Sequence, residues 1–174
     1  AWLKVYDVPV MYFPKFFHPD PTVDRKSGFL IPTIKNSPNS DNYLSAPYFQ
    51  VVSMNKDFTF TPRFYTDDKF LLQTEYRQVN LKSNHISDFS IFNEEDKDKK
   101  NHFFYEYNKD MSYMNFDETE LNLQIQRVSN DTYLKANKLE SKLIGSNNVL
   151  ESHLDFSLYS DDLQIETELK IYED

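Results

Sequence analysis

From Leu44 onward, apolar and polar residues alternate with a period of two, in segments of about ten residues separated by clusters of Asn, Asp, Ser and Lys. Leu121, Leu123 and Ile125 interleave with Asn122, Gln124 and Gln126, and Leu163, Ile165, Leu169 and Ile171 interleave with Gln164, Glu166, Glu168 and Lys170. Side chains on a strand point alternately to its two faces, so each segment has one apolar and one wet face. The pattern predicts antiparallel strands at 27–35, 44–53, 57–65, 70–79, 85–93, 101–109, 119–128, 132–139, 148–159 and 163–172. The eighth is the weakest. Leu134 to Leu143 carries Ala, Lys, Leu and Glu compatible with a helical turn, but the flanking strands favour an extended or loop conformation there.

Residues 1–22 differ, because Val5, Val8, Val10, Tyr12, Phe13, Phe16 and Phe17 crowd together between Pro9, Pro14, Pro19 and Pro21. Two short strands, Ala1 to Val5 and Val8 to Phe13, joined by a turn at Tyr6 and Asp7, would close one structural unit before a Pro-rich joint. Two further prolines, Pro32 and Pro47, fall inside predicted strands, where each removes the N–H that a ladder uses. A symmetric hairpin about Asn39 and Ser40 would set Lys35 opposite Leu44 and Pro32 opposite Pro47. The other connections rely on Asn55, Asp67, Asp68, Asn130, Asp131, Asp161 and Asp162, whose side chains tolerate tight-turn dihedrals.

Composition mostly excludes. The 174 residues hold no cysteine and only two glycines, so there is no thiolate site, phosphate-cradling loop or nucleophile elbow. A formal charge of −9, from 19 basic against 28 acidic residues, argues against nucleic acid as a partner. His18, His85, His102 and His153 are scattered without ligand spacing, so no metal and no cofactor is assigned. Glu166 and Glu168 share a strand face as a glycosidase pair would, but alternation places carboxylates there by default, and the chain is not read as an enzyme. Glu94 to Lys100 reads as a solvated hairpin loop whose acidic oxygens could meet divalent cations. The chain begins without methionine and ends in mid-alternation, as a piece of something longer would.

Such alternation suits a soluble sandwich or barrel, with the apolar face inward, and equally a membrane barrel, with that face outward. Strand length, polar faces rich in Gln, Asn, Glu, Lys and Thr, and aromatics near strand ends (Tyr43, Tyr48, Tyr65, Tyr76, Tyr107, Tyr133, Tyr159, Tyr172) fit the membrane case.

Val8-Pro-Val-Met-Tyr-Phe-Pro14, Pro19-Asp-Pro-Thr-Val-Asp-Arg-Lys-Ser-Gly-Phe-Leu-Ile-Pro32, Ala46-Pro-Tyr-Phe49 and Phe58-Thr-Phe-Thr-Pro-Arg-Phe-Tyr65 occur in that order. The set resembles the LptD (OstA/Imp) family of lipopolysaccharide-assembly outer-membrane proteins, clearly over residues 8 to about 79 and more loosely at Gln126-Arg-Val-Ser-Asn-Asp-Thr-Tyr133. The resemblance implies an all-β fragment: residues 1–24 as the end of a periplasmic β-groove domain and its linker, and 25–174 as the first eight to ten strands of an incomplete outer-membrane β-barrel. It further implies lipopolysaccharide and outer-membrane lipid as partners, with the plug lipoprotein LptE and the periplasmic bridge protein LptA. Pro32 and Pro47 match family prolines at a lateral gate, and Arg25 and Lys26 at the hinge could meet a phosphorylated lipid head or anchor the interface. A soluble lipid- or glycan-binding domain and a porin-like diffusion barrel are the rivals. The fragment would form an open sheet or a smaller closed barrel.

Overall fold

The alternating segments pair into one antiparallel meander. The structure, a computed structural model, describes residues 2–5, 8–12, 25–36, 41–111, 116–145 and 149–173, with side chains from residue 25 onward. A first hairpin pairs β1 (Trp2–Val5) with β2 (Val8–Tyr12), as expected before the joint; the joint itself, and the turn at Asn39 and Ser40, lie outside the described residues.

The main sheet begins with two interrupted strands. β3 (Gly28–Phe29) and β4 (Thr33–Lys35) together fill the first predicted segment, and β5 (Tyr43–Ser45) and β6 (Tyr48–Ser53) fill the second. Long strands follow in chain order: β7 (Lys56–Tyr65), β8 (Phe70–Asn80), β9 (Ser83–Asn93), β10 (Lys100–Asp110), β11 (Glu118–Val128), β12 (Leu150–Ser160) and β13 (Leu163–Glu173). Each pairs with its sequence neighbour, and the sheet is open between β4 at one edge and β13 at the other.

Turns of two residues join β6 to β7, β8 to β9 and β12 to β13 at one end of the strands, where the β10–β11 connection also lies, and the loops from β7 to β8, β9 to β10 and β11 to β12 gather at the other. The left-handed backbone of Asp68 and Asp96 (φ 52° and 57°) shows acidic residues taking loop dihedrals where glycine is scarce.

One expected strand is absent. Residues 132–139 contain instead a short helix, α1 (Tyr133–Asn137), inside the long connection from β11 to β12. Its C-cap, Lys138, adopts the left-handed conformation (φ 46°, ψ 52°) that stops a helix, and its N–H returns to Lys135 O.

The ladder register settles which way the faces point. Phe58, Phe60 and Phe64 of β7 share a face with Phe89 and Ile91 of β9, Phe103 and Tyr105 of β10, Leu121, Leu123 and Ile125 of β11, and Leu163, Ile165, Leu169 and Ile171 of β13. This apolar face is open to its surroundings: Phe103 is 45% exposed, Leu169 59% and Ile34 66%. Buried residues lie on the opposite face, among them Asp57, Arg63, Gln73, Asp88, Ser90, His102 and Gln126.

Candidate functional site

On that polar face, near the long-loop end, the connection from β11 to β12 folds back over the sheet. Tyr133 and Leu134 of α1, with Leu139 and Leu143 beyond it, pack against Leu71 of β8, Phe92 of β9, Phe104 of β10 and Leu150 of β12 to form one apolar cluster. Each buried side chain of this size stabilises the docked loop by roughly 1.5–3 kcal/mol before entropy is counted.

Polar side chains of the strands then hold the loop's main chain. Arg63 Nη1 donates to Asn137 O at 2.6 Å and Nη2 to Lys138 O at 3.4 Å. Gln73 Nε2 donates to Glu140 O at 3.0 Å, and Gln126 Nε2 to Leu143 O at 2.6 Å. These carbonyls stand at and beyond the end of α1, where no intrahelical donor reaches them, so the sheet supplies what the helix lacks.

Beneath the loop lies a closed polar chain. Ser90 Oγ sits 2.6 Å from both Tyr133 Oη and His102 Nδ1, and His102 Nε2 lies 3.3 Å from Asp88 Oδ1, off the line of a hydrogen bond. Gln73 Nε2 donates to both Asp88 oxygens. A serine, a histidine and an aspartate in sequence have the makings of a nucleophilic triad. Here the serine hydroxyl is taken up by Tyr133, and all three residues are 1% exposed or less, so the chain works as a latch between sheet and loop.

Burial pushes the Tyr133 hydroxyl up to about 12 from its ordinary 10.0. The docked loop favours the neutral phenol. Ionisation therefore carries no penalty below pH 10, and between pH 10 and about 12 undocking becomes easier by roughly 2–3 kcal/mol. Ultraviolet titration of tyrosinate in the full-length protein should show a late-ionising fraction that shrinks by one tyrosine in Tyr133→Phe; an identical late fraction in the variant would refute the assignment.

At the other edge, the strand break coincides with both prolines. β3 pairs with β6 through Gly28 with Phe49 and Phe29 with Tyr48, whereas β4 pairs with β5 through Thr33 with Ser45, Ile34 with Leu44 and Lys35 with Tyr43. The register shifts by one residue across the break, and Leu30 N–H donates to Pro47 O at 2.8 Å. Pro32 and Pro47 thus share one interruption of the first two strands but are staggered; Lys35 stands opposite Tyr43, not Leu44 as a symmetric hairpin would have it.

Arg25, at the hinge, pairs with Asp57, a carboxylate with a side chain 3% exposed that also accepts from Arg77 Nε at 2.8 Å. Both guanidinium groups lie over the Phe49 ring, at 5.5 Å and 5.9 Å. Ser27 Oγ accepts from Val51 N–H at 2.8 Å, so the start of the first strand is pinned to β6. Lys26 is exposed.

In the loops, Lys69 Nζ meets Asp41 at 3.2 Å and Glu94 at 4.0 Å, and the Asp41 hydrogen bond holds the Lys69 amine above its usual range. Glu94 also pairs with Lys97 at 2.8 Å, so this acid of the charged run faces lysines. Among the described residues, no group of three or more His, Asp or Glu side chains is placed to hold a metal ion.

Alternation marked Gln126 as a wet-face position, but nothing in it indicated that a loop would cover it together with Gln73, Asp88, Ser90 and His102.

No protein-family model matches the chain. Among curated proteins, it is 31% identical over 137 residues to the LPS-assembly protein LptD of Pseudoalteromonas translucida, an alignment covering 77% of this chain and 18% of that protein. It is 38% identical over 80 residues to the LPS-assembly protein LptD of Shewanella oneidensis, covering 45% of the chain and 10% of the relative. The protein of the same description from Pseudoalteromonas atlantica aligns with 99% of the chain at 26% identity and is covered over 22% of its own length. The chain therefore spans about a fifth or less of these relatives.

Proposed function

The chain belongs to the LptD family as a segment of a much longer protein, and on that premise we propose that it forms the first strands of an outer-membrane β-barrel that delivers lipopolysaccharide to the outer leaflet, with a lateral gate at Pro32 and Pro47. The observation that carries the barrel reading is the inverted sheet: apolar side chains stand exposed on one face while polar side chains are buried on the other. A soluble domain would bury the apolar face, whereas a barrel in lipid turns it outward.

The dimensions agree. Strands of 11 residues, such as β8 to β13, reach about 36 Å at 3.3 Å per residue and, tilted about 45°, cross the roughly 25 Å band of an outer-membrane barrel. Aromatic side chains mark both ends of the exposed face. Tyr76, His85, Tyr105 and Tyr107 cluster near the tight turns, with His85 and Tyr107 rings 4.5 Å apart, and Phe64 meets Phe70 at 5.3 Å near the long loops. By the usual asymmetry of such barrels, tight turns lie in the periplasm and long loops outside, which leaves residues 1–24 on the periplasmic side as the end of a groove domain.

In a closed barrel the first interrupted strand, β3 and β4, would meet the last strand, with β5 and β6 directly behind it. Two missing N–H donors and a one-residue register shift weaken the strand pair beside that seam, and in hydrocarbon it yields more readily than an intact ladder. Lipid would leave sideways there, its sugars passing along the polar face. The plug lipoprotein LptE and the bridge protein LptA are the partners this reading calls for. No bond is broken in such transport, and the reading includes no catalytic residue.

Restoring both donors by Pro32→Ala and Pro47→Ala in the full-length protein should stiffen the seam by about 1 kcal/mol per bond. Delivery should fall by roughly tenfold or more. Surface lipopolysaccharide, measured in cells relying on the variant, checks this; undiminished delivery removes the gate role.

A further inference from the structure

Three cations converge where the broken first strand meets the docked loop. Lys35 of β4 and Arg63 of β7 approach the same Tyr43 ring, with Lys35 Nζ at 5.5 Å and Arg63 Cζ at 5.1 Å from its centroid. Lys138, at the end of α1, lies against Arg63 through its carbonyl, 3.4 Å from Nη2, and its charge acts on the Lys35 ammonium. Arg63 spends its donors on Asn137 O and Lys138 O, and neutral carbonyls leave its charge uncompensated. The nearby carboxylate of Asp41 is turned to Lys69. Among the described residues, no carboxylate lies within ion-pair distance of Lys35, Arg63 or Lys138.

Like charges side by side repel, and a single anion with several oxygens placed between them reverses the sign of the interaction. Lys138 adds a second indication. A lysine in the left-handed conformation bears a steric penalty of about 1 kcal/mol that glycine, the common residue at this cap position, avoids. The position thus carries a charge at a place where backbone geometry alone would favour no side chain.

We infer that Lys35, Lys138 and Arg63 form a binding site for a phosphate-type oxyanion, presented by the headgroup of a glycolipid as it passes the proline-broken edge. The inference rests on the transport reading for the source of the anion and on the cation geometry for the site itself. Lys35 belongs to the strand that would open and Lys138 to the loop that covers the polar face, so a bound phosphate bridges the two.

The test uses the full-length protein in detergent micelles, with bisphosphorylated lipid A, its dephosphorylated counterpart and inorganic phosphate as separate probes. Wild type should bind the phosphorylated lipid about tenfold more tightly than the dephosphorylated one, and Lys35→Gln with Lys138→Gln should abolish that preference. Lys138→Gly, which keeps the helix cap, should lose part of the preference while the loop keeps its protection from hydrogen exchange. Equal preference in wild type and the double variant overturns the site. Inorganic phosphate binding as tightly as the lipid overturns the headgroup assignment and leaves a free-anion site. Surface delivery is measured in parallel: intact delivery without any phosphate preference rejects the site and spares the transport reading, whereas absent delivery in the wild type rejects transport itself.

Discussion

Truncating Tyr133 to alanine should free the loop between β11 and β12 from the sheet. The ring is 1% exposed, touches the cluster around Leu71, Phe92 and Phe104, and its hydroxyl meets Ser90. Removing a buried aromatic of this size costs about 3–5 kcal/mol through lost contacts and the cavity left behind. Tyr133 is the largest of the loop's apolar anchors, beside Leu134, Leu139 and Leu143, so most of that loss falls on docking. Amide exchange of residues 129–149 in the full-length protein should accelerate by two orders of magnitude or more, while β8 to β10 keep their protection. Tyr133→Phe, which loses the hydroxyl alone, should cost only about 1 kcal/mol. Unchanged exchange in the alanine variant would mean that the carbonyl bonds from Arg63, Gln73 and Gln126, with Leu134, Leu139 and Leu143, hold the loop without Tyr133.

Replacing Asp57 with asparagine should weaken the start of the sheet by a similar amount. Its buried carboxylate faces both Arg25 and Arg77, with Glu75 3.3 Å from Arg77 as the remaining counter-charge. Breaking a buried ion pair by removing one partner costs about 3–5 kcal/mol, because the surviving charge is left unpaired. Arg25→Ala acts on the same contact from its half-exposed end and should cost about 1 kcal/mol or less. The thermal unfolding midpoints of the full-length variants should therefore separate clearly, Asp57→Asn well below Arg25→Ala. Equal midpoints would place the stabilisation elsewhere than in this network.

The long strands were legible because period-two alternation has one physical cause, two faces in different media, and β7 to β13 obey it within a residue or two of the expected bounds. Alternation alone does not say which face is exposed, since it reads the same in either direction; strand length, the aromatics near strand ends and the ordered motifs pointed to the outward apolar face that the sheet has. The docked loop escaped for another reason. Its contacts come from β7, β8, β9, β10 and β11, brought together only by the finished sheet. Tyr133 and Leu134, side by side in sequence, fit a strand pattern as well as a helical turn.

Register was legible only to within one residue. A symmetric hairpin set Pro32 opposite Pro47, but the shift between the β3–β6 and β4–β5 ladders staggers them, and nothing in the apolar pattern of so short a stretch fixes such a shift. Arg25 shows the limit at a single residue. Its place after the Pro-rich joint suggested a lipid-head contact or an interfacial anchor, and gave no sign of its partner Asp57, 32 positions away.

Because Arg63, Gln73 and Gln126 grip main-chain oxygens, the loop is seated by atoms that every residue possesses. Ala136, Glu140 and Lys142 are exposed, and their side chains take no part in that grip. Substitutions at such positions therefore change what the loop presents while its seating on the sheet stays the same.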